Sequence, residues 1–253
     1  MKLVMWRKGF VATLATITLL AGLAYADTNS AGSNLPAKGK YAALNKLPDW
    51  SGVWNNVSGY DFGILTGEPD NPAPYRPEYA AKVAEAERMS DTAILAGQEP
   101  PTPEGNSCRW PGMPLLDLYP YGVEFLFTPG RVTMLWTILS SSRRIYTDGR
   151  KFPEDLDASY NGLSIGHWEG DTLVVHTKGL RDHSKESLGT FYSDAMELDE
   201  RWQLVAPNRM MLEITMTDPK VFTRPWVARR YYVRQPDWDI GEYNCGENNR
   251  LKD

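Results

Sequence analysis

From Tyr121 onward the chain alternates apolar and polar residues with a period of two, interrupted at short intervals by turn signals. Gly122 to Thr128 reads as a strand that turns at Pro129-Gly130 into Arg131 to Leu139, a buried strand. Arg143 to Thr147 follows and ends at Asp148-Gly149. Leu163 to Trp168 and Thr172 to Thr177 read as a hairpin across Glu169-Gly170, and Ala195 to Val205 with Arg209 to Thr217 as another across Pro207-Asn208. Phe222 to Val233 is the last long strand. Upstream, Leu47 to Trp54 places two tryptophans about a glycine and marks the start of a packed β element. Pro77 to Met89 is the one helical stretch, with Pro77 suited to the first turn and a run of alanines behind it. Gly67 to Pro77 and Gly97 to Gly105 are loops. About eight strands, short turns and one helix predict an all-β fold, a lipocalin-like antiparallel barrel, because closure removes sheet edges and encloses an interior.

The first residues have a different pattern. Lys2, Arg7 and Lys8 precede an apolar run from Phe10 to Leu23, and Ala24-Tyr25-Ala26 fits a small-x-small cleavage site. Residues 1–26 are therefore expected to be a signal peptide, 27–46 a flexible leader rich in small polar residues, and 47–253 a single barrel domain in the periplasm or outside the cell. The apolar run is short and holds three threonines, which argues against a stable membrane anchor. Removing Lys2, Arg7 and Lys8 takes the 27 basic residues to 24 against 32 acidic ones, a net charge of −8. Such a chain without a basic block is unsuited to nucleic acid. In an oxidising compartment its two cysteines, Cys108 and Cys245, are expected to form a disulfide.

The candidate chemistry lies in the hairpins. With a two-residue loop at Glu169-Gly170, His167 and His176 share a face with Leu163, Ile165 and Val174. A histidine pair on an apolar face reads either as an acid/base pair in a cavity or as two structural hydrogen-bond donors. Across Pro207-Asn208 the same reasoning puts Arg201 on the face of Met210, Leu212, Ile214 and Met216. A buried guanidinium needs an anion, either Asp199 or a substrate carboxylate or phenolate. Arg144 and Tyr146 share a strand face and suit anion binding and proton transfer. Arg143 and Arg150 read as surface partners of Glu154, Asp155 and Asp157. Arg181, Asp182, His183 and Ser184 precede Tyr192 in a loop, but neighbouring residues cannot align as a catalytic triad, and no nucleophile elbow is present. Nine tryptophans and thirteen tyrosines, Trp226 among them, suit barrel packing and a flat aromatic ligand. The sequence has no phosphate loop, haem motif or dinucleotide fingerprint, and its His/Cys spacing fits no structural zinc site, so neither cofactor nor metal is expected.

The blocks DWSGVW, CRWPGMP, EFLFTPGRV, RRIYTDGR, SIGHWEGDTLVV, TRPW and EYNCGEN resemble a large family of exported, mostly hypothetical bacterial proteins with a lipocalin-like fold. That resemblance covers nearly the whole chain after the expected signal peptide and implies that Cys108 and Cys245 are family features. More distantly, the chain is similar to cofactor-free lyases of lignin-derived phenylcoumarans, which cleave a carbon–carbon bond and leave a stilbene. The chain departs from the family in having His176 where Asp is usual and Tyr192 where His is usual. Two readings follow. One is a cofactor-independent carbon–carbon lyase on an aromatic, phenolic substrate, with His167, Tyr146, Tyr192 and Arg201 catalytic and Arg144, His176 and Trp226 holding the substrate. The other is a periplasmic binding protein for a lipophilic or aromatic small molecule.

Overall fold

The computed structural model describes residues 39–58, 67–68, 71–98, 112–183 and 191–243. Residues 1–26, Cys108, Cys245 and Ser184 lie outside the described residues. Within the expected leader, Gly39–Lys46 forms 3₁₀ turns. Eleven strands follow in chain order: β1 (Val53–Asn56), β2 (Gly67–Glu68), β3 (Asn71–Pro72), β4 (Gly122–Thr128), β5 (Arg131–Trp136), β6 (Ser142–Tyr146), β7 (Leu163–Glu169), β8 (Thr172–Lys178), β9 (Glu197–Ala206), β10 (Arg209–Thr217) and β11 (Trp226–Gln235). β2 and β3 form a separate two-stranded ribbon. The other nine close into a barrel in the order β1-β11-β10-β9-β8-β7-β6-β5-β4, with β1 also pairing β4.

The expected barrel is thus present, with one departure from an antiparallel meander: β6 and β7 run parallel. Residues 147–162 carry the chain back across the barrel wall, and such a crossover is what parallel pairing requires. This segment lies on the outside. Phe152 meets the His176 ring edge-on at 5.5 Å, and Leu156 packs so close to Gly179 that a Cβ there would lie 2.7 Å from it.

Every barrel strand alternates between wall faces. The inward set includes Trp54, Val123, Phe125, Val132, Met134, Trp136, Ile145, Leu173, Val175, Leu198, Trp202, Leu212, Ile214, Met216 and Tyr232, all buried. Burying a large apolar side chain is worth roughly 1.5–3 kcal/mol, so this layer supplies the main drive for closure. The helix α1 (Pro77–Leu95) extends beyond the expected Met89 and buries one stripe, Val83, Ala86 and Ala93. A single-turn helix, α2 (Leu115–Leu118), is buried at Leu116, Asp117 and Leu118. Its entry depends on Gly112, at φ +65°, where a Cβ would sit 2.4 Å from the Tyr160 carbonyl oxygen. That carbonyl accepts the Met113 N–H at 2.8 Å.

Candidate functional site

The barrel interior holds a charged centre. Arg143 follows the first residue of β6 and sits opposite Met134 of β5, on the same face as Ile145. It is 2 % exposed. All five of its N–H donors are engaged: Nε donates to Ser164 Oγ at 3.0 Å, Nη1 to Asp117 Oδ2 at 2.9 Å and Glu200 Oε1 at 3.0 Å, and Nη2 to Thr177 Oγ1 at 2.9 Å and Glu200 Oε2 at 2.7 Å. The parallel β6–β7 pairing brings Ser164 beside Ile145, and the β7–β8 ladder sets Thr177 opposite Ser164. Glu200 comes from β9 across from Val175. Gly166 is the inward residue opposite Val175. A Cβ there would meet the Val174 carbonyl oxygen at 2.8 Å and Ile145 Cγ2 at 3.0 Å.

One guanidinium faces two carboxyl groups. Burial, followed by the charge of Glu200, pushes the Asp117 carboxyl well above the usual range, outweighing the opposing pull of Arg143. Asp117 Oδ2 accepts from Arg143, whereas Asp117 Oδ1 is buried without a hydrogen-bond partner among the described residues. The Tyr232 hydroxyl donates to the Asp117 main-chain carbonyl. Burial above all raises the Tyr232 phenol well above its ordinary value. Asn56 Nδ2 donates to the Leu118 carbonyl at 3.0 Å and satisfies an otherwise orphaned end of α2.

Aromatic rings occupy the region near the β4–β5 and β7–β8 turns. Trp50 packs on Phe125 at 5.1 Å, Trp168 at 5.2 Å and Phe127 at 5.7 Å between ring centroids. Phe125 in turn meets Trp202 at 5.4 Å, and Trp202 meets Tyr232 at 5.3 Å. The rings therefore run continuously from Trp50 to the charged centre. The Trp50 segment is tied down by Trp54 Nε1 donating to the Trp50 carbonyl at 2.9 Å, and by Arg234 donating to the carbonyls of Asp49 and Ser51 at 2.7 Å each. The buried indole N–H groups of Trp50, Trp136 and Trp202 have no acceptor among the described residues. Each such orphan costs about 1–3 kcal/mol unless something satisfies it.

Most of the expected site residues stand elsewhere. His167 and His176 do share a face with Leu163, Ile165 and Val174, but it is the outer one. The crossover reaches that face through Phe152, which packs on the His176 ring. His167 Nε2 lies 3.1 Å from Glu169 Oε1, and Arg201 Nη2 donates to Glu169 Oε2 at 3.0 Å. His167 and Arg201 thus meet through Glu169 on the exterior, not in a cavity. His176 Nδ1 lies 2.7 Å from Asp199 Oδ1, with Nε2 3.3 Å from Glu197 Oε2. No group of three or more His, Cys, Asp or Glu among the described residues is arranged to hold a metal ion.

Arg201 points outward because of a β-bulge. Ala206 pairs Arg209, but Met210 pairs Leu204, leaving Val205 as an extra residue. That one-residue slip exchanges the faces of β9. Leu198, Glu200 and Trp202 go inward, and Asp199 and Arg201 go out. Arg144 is exposed opposite Thr133. Tyr146 shares its outer face and carries the Arg150 guanidinium 3.6 Å above its ring. Arg150 is a surface residue as expected, but its partner is Asp148, at 2.6 Å.

Tyr192 is buried away from these groups, stacked on His183 at 4.7 Å. Trp226 is inward, opposite Met216, with its Nε1 donating to the Asn71 carbonyl at 3.2 Å. The residues missed are Arg143, which is central and not superficial, and its partners Asp117 and Glu200. Two of them carry a signal in the sequence: Arg143 alternates with Ile145, and Glu200 lies between Leu198 and Trp202. No protein-family model and no curated protein matches the chain, so the site rests on its own geometry.

Proposed function

We propose that this chain is an exported, lipocalin-like protein that binds a flat aromatic small molecule among the rings that run from Trp50 to Trp202. The observation that carries the reading is the aromatic end of the barrel, where buried indole N–H groups of Trp50 and Trp202 lack acceptors among the described residues. A phenolic or carbonyl oxygen on an aromatic ligand satisfies such donors while its ring packs edge-to-face on the tryptophans. Residence in the periplasm, the Cys108–Cys245 bridge and membership of the exported family belong to the same proposal. Carriage is preferred to catalysis because His167, His176, Arg201, Arg144 and Tyr146 face outward.

A second reading, the cofactor-independent lyase, is supported by one group. Asp117, whose carboxyl is pushed well above the usual range by burial and by the Glu200 charge, lies at the inner end of the aromatic run, and two such carboxyl groups are suited to donating and accepting a proton in one cycle. Losing formaldehyde or carbon dioxide from a phenolic dimer requires such transfers and no organic cofactor. Titration with a panel of lignin-type phenolic dimers, followed by tryptophan emission, tests the binding claim. Saturable quenching that weakens in Trp168→Ala supports it. A flat titration for every compound contradicts it.

A further inference from the structure

A pocket of about 160 Å³ lies outside the barrel interior, lined by Arg76, Thr217, Asp218, Phe222, Thr223 and Arg224, with Pro219 and Pro225 at its edge. Arg76 immediately precedes α1, and Arg224 is separated from the start of β11 by Pro225. Both guanidiniums are held by main-chain carbonyls. Arg76 Nε and Nη2 donate to the Pro219 carbonyl at 3.2 and 2.9 Å, and Arg224 Nη1 donates to the Pro225 carbonyl at 3.3 Å. Neither has a carboxylate partner among the described residues. By contrast, Arg150, Arg229 and Arg234 pair with Asp148, Glu213 and Asp49.

Asp218 does not fill this role. Its carboxylate accepts from Ser193 N at 2.6 Å, Ser193 Oγ at 2.9 Å, Lys220 N at 3.0 Å and Val221 N at 3.2 Å. Those bonds fix the loop that forms the pocket wall. Arg76 and Arg224 thus bring two guanidiniums, carboxylate-free among the described residues, to one concavity. Among the described residues, Arg76 keeps Nη1 free, and Arg224 keeps Nε and Nη2 free, so both present donors for charge-assisted bonds. Phe222 and the two prolines supply apolar wall.

We propose that this pocket is a binding site for a small organic carboxylate. Its anionic oxygens lie between the Arg76 and Arg224 guanidiniums, and its apolar body rests on Phe222 and the prolines. The site is independent of the barrel interior and of the function proposed for it.

Benzoate is the probe and benzamide its neutral counterpart. In the full-length protein at constant ionic strength, benzoate titration is followed by the arginine Nε–H resonances of Arg76 and Arg224. The expected result is saturable movement of both signals with benzoate and none with benzamide. Arg224→Gln, at an exposed position, should weaken benzoate by about 10-fold or more, the loss expected for one charge-assisted contact. Equal response to benzoate and benzamide would overturn the charge recognition. Unchanged benzoate affinity in Arg224→Gln would overturn the location. Failure of either resonance to saturate in the millimolar range would overturn the site altogether.

Discussion

Asp117→Asn and Glu200→Gln look like equivalent changes, one amide for one carboxyl at Arg143, yet the charged centre predicts very different outcomes. Glu200 takes two of the five Arg143 donors, at 3.0 and 2.7 Å. Its amide leaves the buried guanidinium without its bidentate counter-charge, a loss of about 3–5 kcal/mol. At roughly 2–4 °C per kcal/mol for a domain of this size, the melting temperature falls by about 6–20 °C. Burial and the Glu200 charge raise the Asp117 carboxyl, so the site disfavours its charged form. Asparagine keeps its shape and its acceptor for Arg143 Nη1, so the cost stays near ~1 kcal/mol.

The pH dependence adds a sign. A carboxyl whose folded pKa exceeds its unfolded value of about 3.9 holds a proton that the unfolded chain has released. Its contribution to stability is full below about pH 4 and declines as pH rises toward the folded value. The amide introduced by Asp117→Asn cannot titrate. The stability of that variant relative to the parent must therefore rise with pH across that window. Thermal or urea unfolding at a series of pH values from about 4 to 8 measures both effects. Equal destabilisation by the two amides, with an unchanged pH slope in Asp117→Asn, would refute a raised Asp117 carboxyl.

Two further outcomes follow. Gly166→Ala forces a methyl against the Val174 carbonyl and Ile145. It should cost about 1–3 kcal/mol in denaturant unfolding, and wild-type stability would show that the wall yields there. Arg201→Met removes only an exterior contact to Glu169, so both the melting temperature and ligand affinity should be unchanged; loss of affinity would return Arg201 to the site.

The barrel was readable from period-two alternation and turn residues because both are local. The assignment of faces was not, and two non-local events decided it. At β9 a single bulged residue, Val205, reversed the orientation of Arg201, and nothing in Val205-Ala206-Pro207-Asn208 distinguishes a bulged hairpin from a regular one. At β7–β8 the grouping of His167 with His176 was correct, but their face is the outer one, where Phe152 of the crossover packs on His176. An apolar face identifies burial without identifying what covers it. The inner face there reads Ser164, Gly166 and Thr177 because it makes room for Arg143. Arg143 itself was obscured by its neighbour, since Arg143-Arg144 suggests a solvated pair when strand alternation separates the two. Asp117 lies among leucines, and its contact with a residue 26 positions away leaves no local trace.

Native mass spectrometry of the protein after incubation with single phenolic dimers and no added cofactor, with the small molecules recovered and weighed in parallel, separates carriage from turnover. A carrier gives one-to-one complexes, each with the intact mass of the compound supplied, and weaker occupancy in Trp168→Ala. Recovery of products lighter by formaldehyde or carbon dioxide, abolished in Asp117→Asn, would contradict a carrier and establish the lyase.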